Sequence, residues 1–514
     1  MIDPISPFRM RMAAIRKPAA TPELVAAIDL GSNSFHMIVA RYVNGEIKIL
    51  DRLRESVRLA SGLDADRRIG PEAEQRALAC LQRFGQRLRG IPAEATRVVG
   101  TSTLRRARNT REFQAKAEKA LGRPIEVVSG IEEARLIYLG VAHSISDDGA
   151  QRLVVDVGGG STELIVGERL APRYMESLHL GCVSVTQRYF AGGTISRERW
   201  EQASLAAHLE LEVVAAPFRD LGWQRCIGAS GTVKAINAAL AGEGLAGEGI
   251  TLAGLRKLRD ILIKDGKVDR NRFNGMSDSR AEVFAGGVAV LLAAFEALRI
   301  KRMEAAEGAM REGLIYDLLG RIHHEDVRGV SVEALGRRYH VDAEQAEQVA
   351  ATALRSLELV ATDWDLADAE NAQVLSWAAL LHEIGLDIAH SQYHKHGSYV
   401  LSNADMAGFS KQEQLLLATL VRLHRRKFIN AEFKQLPERW QEPAKRLAVL
   451  LRLAVLLHRS RTQEAIPDFQ LKVMAGGLRL QFPQGWLDEH PLLRADLEQE
   501  AAYLDAAGLG FEFV

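Results

Sequence analysis

Residues 29–34 read DLGSNS, and residues 156–161 read DVGGGS. Both segments match the pattern Asp-x-Gly-x-x-Ser, and each lies between two apolar runs. They are 127 residues apart, which indicates an internal duplication of a strand–turn–strand unit. The chain is therefore predicted to be an α/β protein that contains this unit twice.

A third glycine-rich turn, GASGT at residues 228–232, precedes a helix-like run at residues 233–240. Glycine lets backbone amides converge on an anion, serine and threonine add hydroxyl donors, and a helix N-terminus favours negative charge. The repetition of such turns favours phosphate binding over a set of hairpins without a ligand. The chain has no P-loop motif, and Gly158 and Gly160 are not followed by the third glycine of a dinucleotide fingerprint.

Two aspartates accompany the duplicated turns, because Asp29 and Asp156 each end an apolar strand. A buried carboxylate is costly without a partner, and carboxylate oxygens are ligands that suit Mg²⁺. If the two strand ends face each other with Glu163 nearby, these side chains are expected to hold Mg²⁺. The alternative is that each aspartate caps its own turn.

The charge of the whole chain is balanced, with 66 Lys and Arg against 66 Asp and Glu in 514 residues. This balance argues against nucleic acid or an anionic membrane as a partner, and a hydrophobic content of 47% excludes a disordered protein. Cys80, Cys182 and Cys226 are too scattered for a disulfide framework, which suits a reducing compartment. Residues 1–24 lack the apolar core of a signal peptide, so we expect a cytoplasmic protein.

The pattern of secondary structure changes near residue 320. Before it, strand-like runs such as residues 25–29 alternate with helix-like runs such as residues 110–121. After it, the chain is helix-rich until strand signals return at residues 469–482. The longest apolar run, residues 447–457, is interrupted by Arg452 and predicts a buried amphipathic helix, so no integral membrane segment is expected.

Several segments together resemble the exopolyphosphatase/guanosine pentaphosphatase family, which has the actin/Hsp70/sugar-kinase fold. They are AIDLGSNSFH at residues 27–36, TLR at 103–105, SGIEEAR at 129–135, DVGGGSTE at 156–163 and GASGTVK at 228–234. The similarity continues through REG at residues 311–313 and covers nearly the whole chain from about residue 25.

This resemblance implies two actin-like (ribonuclease H-like) domains, then a helical HD-like domain and a small C-terminal α+β domain. The expected parts are a flexible leader at residues 1–24, domain I at 25–140, domain II at 141–320, the HD-like domain at 321–465 and the C-terminal domain at 466–514. The resemblance also implies a homodimer.

The same resemblance implies Mg²⁺-dependent hydrolysis of a terminal phosphoanhydride, with release of orthophosphate. Glu133 is the candidate general base that activates water, and Glu132 is the alternative. Arg105 and Lys234 would neutralise the phosphates. The implied phosphate-binding positions are Ser32, Asn33, Gly158, Gly159, Gly160, Ser161, Thr162, Gly231 and Thr232.

Two positions bear on the substrate. Gly160 and Lys234 resemble the exopolyphosphatase branch, whose pentaphosphatase relatives tend to have Ala and Gln there. We therefore expect inorganic polyphosphate as substrate, with guanosine pentaphosphate, hydrolysed to guanosine tetraphosphate, as the alternative. A kinase of the same fold and a non-catalytic regulator that binds polyphosphate or an alarmone are further alternatives.

A basic run in the C-terminal half contains Arg422, His424, Arg425, Arg426 and Lys427. It is either a solvated helix face or a track that retains polyphosphate, whose binding would weaken with salt.

Residues 380–386, LLHEIGL, resemble the helix of HD phosphohydrolases, but Glu383 follows His382 where those enzymes have aspartate. His390 and His394 have the spacing of metal ligands if they lie on one helix. The departure at Glu383 favours a degenerate site with a structural role.

Overall fold

The structure is a computed structural model that describes residues 22–43, 46–145, 149–247, 249–273, 276–322, 326–461 and 466–514. The described residues up to 322 form one compact unit, here called the N-terminal unit, and those from Asp326 to Val514 form another, the C-terminal unit. The expected leader at residues 1–24 lies almost wholly outside the described residues. The division into five parts stays a prediction.

The first sheet of the N-terminal unit contains β1 (Leu24–Leu30), β2 (Phe35–Val43), β3 (Glu46–Glu55), β4 (Thr96–Gly100) and β5 (Glu126–Val127). The helices of this half are α1 (Pro71–Arg87), α2 (Ser102–Arg106), α3 (Thr110–Leu121) and α4 (Gly130–Ser144). The strand order is β3-β2-β1-β4-β5. In this sheet β1, β2 and β3 form an antiparallel meander, while β4 runs parallel to β1 and β5 runs parallel to β4.

The second sheet contains β6 (Gln151–Val157), β7 (Thr162–Glu168), β8 (Ala171–Leu178), β9 (Arg225–Ala229), β10 (Ile250–Thr251) and β11 (Arg302–Ala305). The helices are α5 (Cys182–Tyr189), α6 (Arg197–Leu221), α7 (Ser230–Gly242), α8 (Leu252–Asp265), α9 (Asp278–Leu298) and α10 (Met310–Ile322). The strand order β8-β7-β6-β9-β11-β10 repeats the first sheet and adds β10 at one edge. The predicted duplication is confirmed.

The duplicated aspartates occupy equivalent positions in the two sheets. Strands β1 and β6 are flanked by partners on both sides, and their apolar residues other than Leu24 are buried. Asp29 lies opposite His36 in the first hairpin, and Asp156 lies opposite Glu163 in the second. Both carboxylates therefore stand at the end of a central strand, immediately before a glycine turn.

Helices α4 and α10 touch through their backbones. A Cβ built at Gly140 would lie 1.9 Å from the carbonyl oxygen of Ala309, and one at Gly313 would lie 1.9 Å from the carbonyl oxygen of Leu136. Glycine at both positions permits this approach. The separation of the two helices is therefore fixed by backbone contact.

Helix α9 is long and apolar enough to cross a bilayer by length and composition, the one such helix in the described part of the chain. Of its most apolar 18-residue window, 78% is buried inside the protein. Burial of this kind is typical of a core helix. The most apolar stretch of the described chain therefore lies in α9, and the expectation that residues 447–457 are the longest apolar run is wrong.

The C-terminal unit contains α11 (Val327–Arg338), α12 (Ala343–Val360), α13 (Ala369–Leu381), α14 (Tyr393–Asn403), α15 (Lys411–Leu423), α16 (Glu438–Leu457), β12 (Gln470–Met474), β13 (Gly477–Gln481), α17 (Pro491–Asp505) and β14 (Gly510–Phe513). The strands form a sheet in the order β12-β13-β14, which shares one hydrophobic core with the helices. Arg452 on α16 is 1% exposed and donates to Glu500 on α17 at 2.8 Å. It is a buried ion-pair partner within α16, and the buried helix predicted at residues 447–457 is confirmed.

Candidate active site

The two Asp-x-Gly turns face each other across a cavity of about 320 Å³ in the N-terminal unit. A Cβ built at Gly159 would lie 2.9 Å from the Cβ of Ser32, and one at Gly160 would lie 2.7 Å from Oγ of Ser102. The hydroxyl of Thr103 donates to Oγ of Ser32 at 2.8 Å. The glycines of the second turn thus allow the two halves of the unit to meet at the cleft.

One wall of the cleft is acidic and includes Asp29, Glu133 and Asp156. Burial and the charge of Glu133 raise the pKa of Asp29 to about 7, against the opposing charge of Arg311. Burial and the charges of Glu133 and Asp29 raise the pKa of Asp156 to about 7. These carboxylates are therefore held close together without enough positive charge to balance them.

The acidic wall fits a bound cation. No described group forms a hydrogen bond with the buried Oδ1 of Asp29. Glu163, 1% exposed, accepts a hydrogen bond of 2.8 Å from Ser177, and its pKa is raised by burial and by Glu133 and Asp156. Within the described ranges no three His, Cys, Asp or Glu side chains form a complete metal site by themselves. A cation here would therefore draw its other ligands from water and phosphate oxygens, as Mg²⁺ does in phosphoryl-transfer sites.

Glu132 and Glu133 are neighbours at the start of α4 but have different surroundings. Glu133 lines the cleft, and Arg105 donates to its Oε2 at 2.6 Å. Glu132 is fully buried and accepts two hydrogen bonds from Arg135, at 2.7 and 2.8 Å. Between the two candidates, Glu133 is the one that a molecule in the cleft would contact.

The third turn lines the same cleft through Ser230, Gly231, Thr232 and Lys234. Ser230 has a φ of +79°, a left-handed conformation that residues with a Cβ rarely adopt. Backbone strain of this kind is concentrated at ligand sites. The Lys234 side chain is 40% exposed, and its Nζ lies 3.2 Å from Oε2 of Glu307, so part of its charge is already paired.

The predicted phosphate-binding positions differ in how they meet the cleft. Those that line it are Ser32, Asn33, Gly158, Gly159, Ser161, Gly231 and Thr232. The amide of Gly158 donates within its own turn, to the carbonyl oxygen of Ser161 at 2.9 Å. Thr162 is fully buried, and its hydroxyl donates to the carbonyl oxygen of Leu180. Thr162 therefore stabilises the turn from behind.

Sequence reasoning missed a basic group in the cleft, Arg54, Arg280 and Arg311, with His36 beside it. Arg280 donates to Oγ1 of Thr232 at 3.1 Å, and Nη1 of Arg311 lies 3.2 Å from Nδ1 of His36. Burial and the arginine charges lower the pKa of His36 to about 3, so the imidazole is neutral at pH 7. Guanidinium groups that converge in this way suit a polyanion.

The residues of the basic run in the C-terminal unit differ in their exposure and in the cavities that they line. Arg422, Arg425, Arg426 and Lys427 line one cavity, whereas His424 lines another, together with Arg425 and Arg426. His424 is 1% exposed, its Nδ1 lies 2.6 Å from the carbonyl oxygen of Val421, and burial lowers its pKa well below the ordinary value. A track along this surface would therefore use the four cations without His424.

The HD-like segment has no cluster of metal ligands among the residues that the structure describes. His382 is buried, with its Nδ1 2.6 Å from the carbonyl oxygen of Ala379. Helix α14 begins at Tyr393, so His390 lies outside the helix that carries His394. The degenerate character of this site stays a prediction.

Sequence comparison identifies the group to which the chain is related. The profile of the Ppx/GppA phosphatase family matches residues 38–322, and that of Ppx/GppA phosphatase domain III matches residues 327–501. The chain belongs to the Ppx/GppA phosphatase family. Membership makes it a hydrolase that acts on phosphoanhydrides, and the family resemblance inferred from the sequence is confirmed.

Two curated relatives, from Aeromonas hydrophila and Aeromonas salmonicida, are each 42% identical over 477 residues, 93% of this chain and 96% of theirs. Both are named guanosine-5′-triphosphate,3′-diphosphate pyrophosphatase.

Solved structures give the same fold. An exopolyphosphatase-like protein, 27% identical, has a TM-score of 0.53 and covers 58% of this chain and 99% of that protein. An exopolyphosphatase from Cytophaga hutchinsonii, 22% identical, has a TM-score of 0.52 and covers 59% of this chain and 98% of that protein. With the duplicated sheets and the helical C-terminal unit, the predicted fold class is confirmed.

Proposed function

We propose that the chain hydrolyses the terminal 5′ phosphoanhydride of guanosine 5′-triphosphate 3′-diphosphate, releasing orthophosphate and leaving guanosine tetraphosphate. The observation that carries the substrate is the 42% identity, over 93% of the chain, to relatives named for this nucleotide. Gly160 and Lys234 by themselves favour polyphosphate. The identity to these relatives over nearly the whole chain outweighs those two positions, so guanosine pentaphosphate becomes the first candidate substrate.

The cleft supports the chemistry. Hydrolysis requires a water oxygen to attack the terminal phosphorus while the bond from that phosphorus to the bridging oxygen breaks. Glu133, which lines the cleft, accepts the proton of the attacking water. Arg105, 2.6 Å from Glu133, orients that carboxylate and neutralises charge on the terminal phosphate.

The glycine turns and the acidic wall bind the rest of the phosphate chain. Backbone amides of the second turn after Gly158, and those of the third turn, donate to phosphate oxygens. Asp29 and Asp156, with Glu163 behind them, are the residues that would hold Mg²⁺, which neutralises phosphate charge when bound. Lys234 adds a cation at the third turn. The guanidinium groups of Arg54, Arg280 and Arg311 line the cleft, where they would pair with the remaining negative charges of the nucleotide.

Inorganic polyphosphate is the second candidate substrate. The exopolyphosphatase-like protein of solved structure, 27% identical, favours it. In that case Arg422, Arg425, Arg426 and Lys427 would retain a long chain by charge, and retention would fall as salt rises. The cytoplasmic location and the homodimer also belong to this proposal. The buried free cysteines support the first, and light scattering tests the second.

The test is orthophosphate release, with Mg²⁺, from guanosine pentaphosphate and from long-chain polyphosphate in parallel. The wild type is compared with Glu133→Gln, which keeps the shape of the side chain and removes the base. Loss of a general base is expected to lower kcat by about 10²–10⁴-fold. Glu112→Gln is the matched control, because Glu112 forms an exposed pair with Arg68 at 3.3 Å.

Each outcome decides one part of the proposal. Faster turnover of the nucleotide supports it, and faster turnover of polyphosphate replaces the substrate while keeping the reaction. If both anions bind and neither is cleaved, the protein is a regulator, and the proposed activity is wrong. If phosphate is released only when a hydroxyl acceptor is added, the chain is a kinase.

A further inference from the structure

Outside the residues that line the cleft, a buried carboxylate on α10 joins three arginines, two of them from other elements. Asp317 accepts hydrogen bonds from Arg97 on β4, from Arg135 on α4 and, at 3.0 Å, from Arg321 one turn along its own helix. Arg135 also grips Glu132 with two hydrogen bonds. The cluster therefore ties α10 to β4 and to the first turns of α4.

The members of this cluster are so deeply buried that removing the charge of one of them would lower the stability of the fold. The side chains of Arg97, Asp317 and Arg135 are 2%, 4% and 8% exposed. Burial alone would raise the pKa of Asp317, but the charges of the arginines hold it well below its ordinary value. Removing one partner of such a pair leaves an uncompensated charge, which is strongly destabilising.

The cluster is connected to the cleft through one peptide bond. Glu132, which Arg135 holds inside the protein, is followed directly by Glu133, which faces the cleft. The direction in which Glu133 points depends on the rotation of this first turn of α4. Backbone contact at Gly140 and Gly313 sets how far α4 lies from α10, and Arg135 links the start of α4 to Asp317 on α10.

We propose that Asp317 is a positioning residue for the hydrolysis proposed above. Through Arg135 and Glu132 it holds the first turn of α4 so that Glu133 stays directed at the attacking water. Arg311, on the same helix, reaches the cleft six residues earlier, about 9 Å away by helix rise. Asp317 itself therefore acts from outside the reacting groups. This inference rests on the proposed role of Glu133.

The test is a double-mutant cycle of Asp317→Asn with Glu133→Gln, read as kcat and KM per folded molecule. A small displacement of a catalytic group costs up to about 10²-fold in rate. Asp317→Asn is expected to lower kcat by about 10-fold to 100-fold and to change KM by less than about threefold. In the Glu133→Gln background the same substitution is expected to change kcat by less than about threefold.

A second variant and a matched control distinguish an effect on the position of Glu133 from an effect on the stability of the fold. Arg135→Lys keeps the charge, loses the two-pronged contact with Glu132, and is expected to show the same split if Asp317→Asn does not fold. Glu500→Gln breaks the comparably buried Arg452–Glu500 pair of the C-terminal unit. It is expected to lower the unfolding temperature and leave kcat unchanged.

Two results would overturn the inference: an unchanged kcat in folded Asp317→Asn, or an equal loss of kcat in both backgrounds. A wild type that releases no phosphate from either substrate instead refutes the proposed function, so the two failures are distinguishable.

Discussion

Replacing Asp156 by asparagine should make the cation-free protein more stable, although the residue lies in the candidate site. Its pKa is raised from an ordinary 3.8 to about 7 by burial and by the charges of Glu133 and Asp29. Below about pH 3.8 the carboxyl is protonated in both the folded and the unfolded chain, so its ionisation does not lower the free energy of unfolding. Between these two values the folded state binds more protons, so stability falls as pH rises, and above pH 7 the full cost is present.

The magnitude follows from the interval between the two pKa values. About three pH units at roughly 1.4 kcal/mol each give a cost of about 4 kcal/mol at pH 8. Asp156→Asn removes the ionisation, so the stability of the variant relative to the wild type should grow by up to about 4 kcal/mol between pH 4 and pH 8. Interaction with neighbouring carboxylates spreads part of this gain among them.

The assay is urea unfolding in EDTA at several pH values, with hydrogen exchange of β6 peptides as the readout for the N-terminal unit. Asp317→Asn is the control of opposite sign, because arginines lower the pKa of that carboxyl below its ordinary 3.8. Its loss should destabilise the fold by an amount that is complete above this ordinary pKa and then stays constant up to pH 8. If the difference between Asp156→Asn and the wild type does not change from pH 4 to pH 8, the cost assigned to this carboxylate is wrong.

Three further predictions concern the cleft. Gly181→Ala should lower both the unfolding temperature and kcat, because its Cβ would lie 2.4 Å from the carbonyl oxygen of Gly159; equal values for variant and wild type would contradict this. The imidazole of His36 should stay neutral at pH 5 in an NMR titration, since its pKa is lowered to about 3; a midpoint above pH 5 would refute the burial argument. Arg280→Met should raise KM by roughly tenfold and change kcat less, because Arg280, which donates to Thr232, would no longer offer a charged hydrogen bond to the substrate. Steady-state kinetics that show a larger effect on kcat than on KM would place Arg280 in the chemical step.

Local patterns carried much of the prediction. The helix expected at residues 110–121 is α3, and the strand expected at residues 25–29 is the centre of β1. The duplicated pattern placed Asp29 and Asp156 at matching strand ends because a repeated sequence forms a repeated hairpin. Turn chemistry and apolar periodicity act over a few residues, so they are visible without a structure.

The features that were missed depend on contacts between distant residues. Arg54, Arg280 and Arg311 come from different elements and converge only after folding. The ion pair of Arg452 was not predicted, because its partner, Glu500, is 48 residues further along the chain. A charged side chain in a sequence gives no sign of which distant group will neutralise it.

The backbone contact between α4 and α10 also limits how this protein can change over evolutionary time. A crowded pair of side chains can be relieved by making either one smaller, but Gly140 and Gly313 press against main-chain atoms, which no second substitution can shrink. A substitution at either glycine therefore cannot be compensated by a second substitution within the contact. Gly313, in the REG segment, is therefore constrained by packing, whereas Arg311, two residues earlier, lines the cleft.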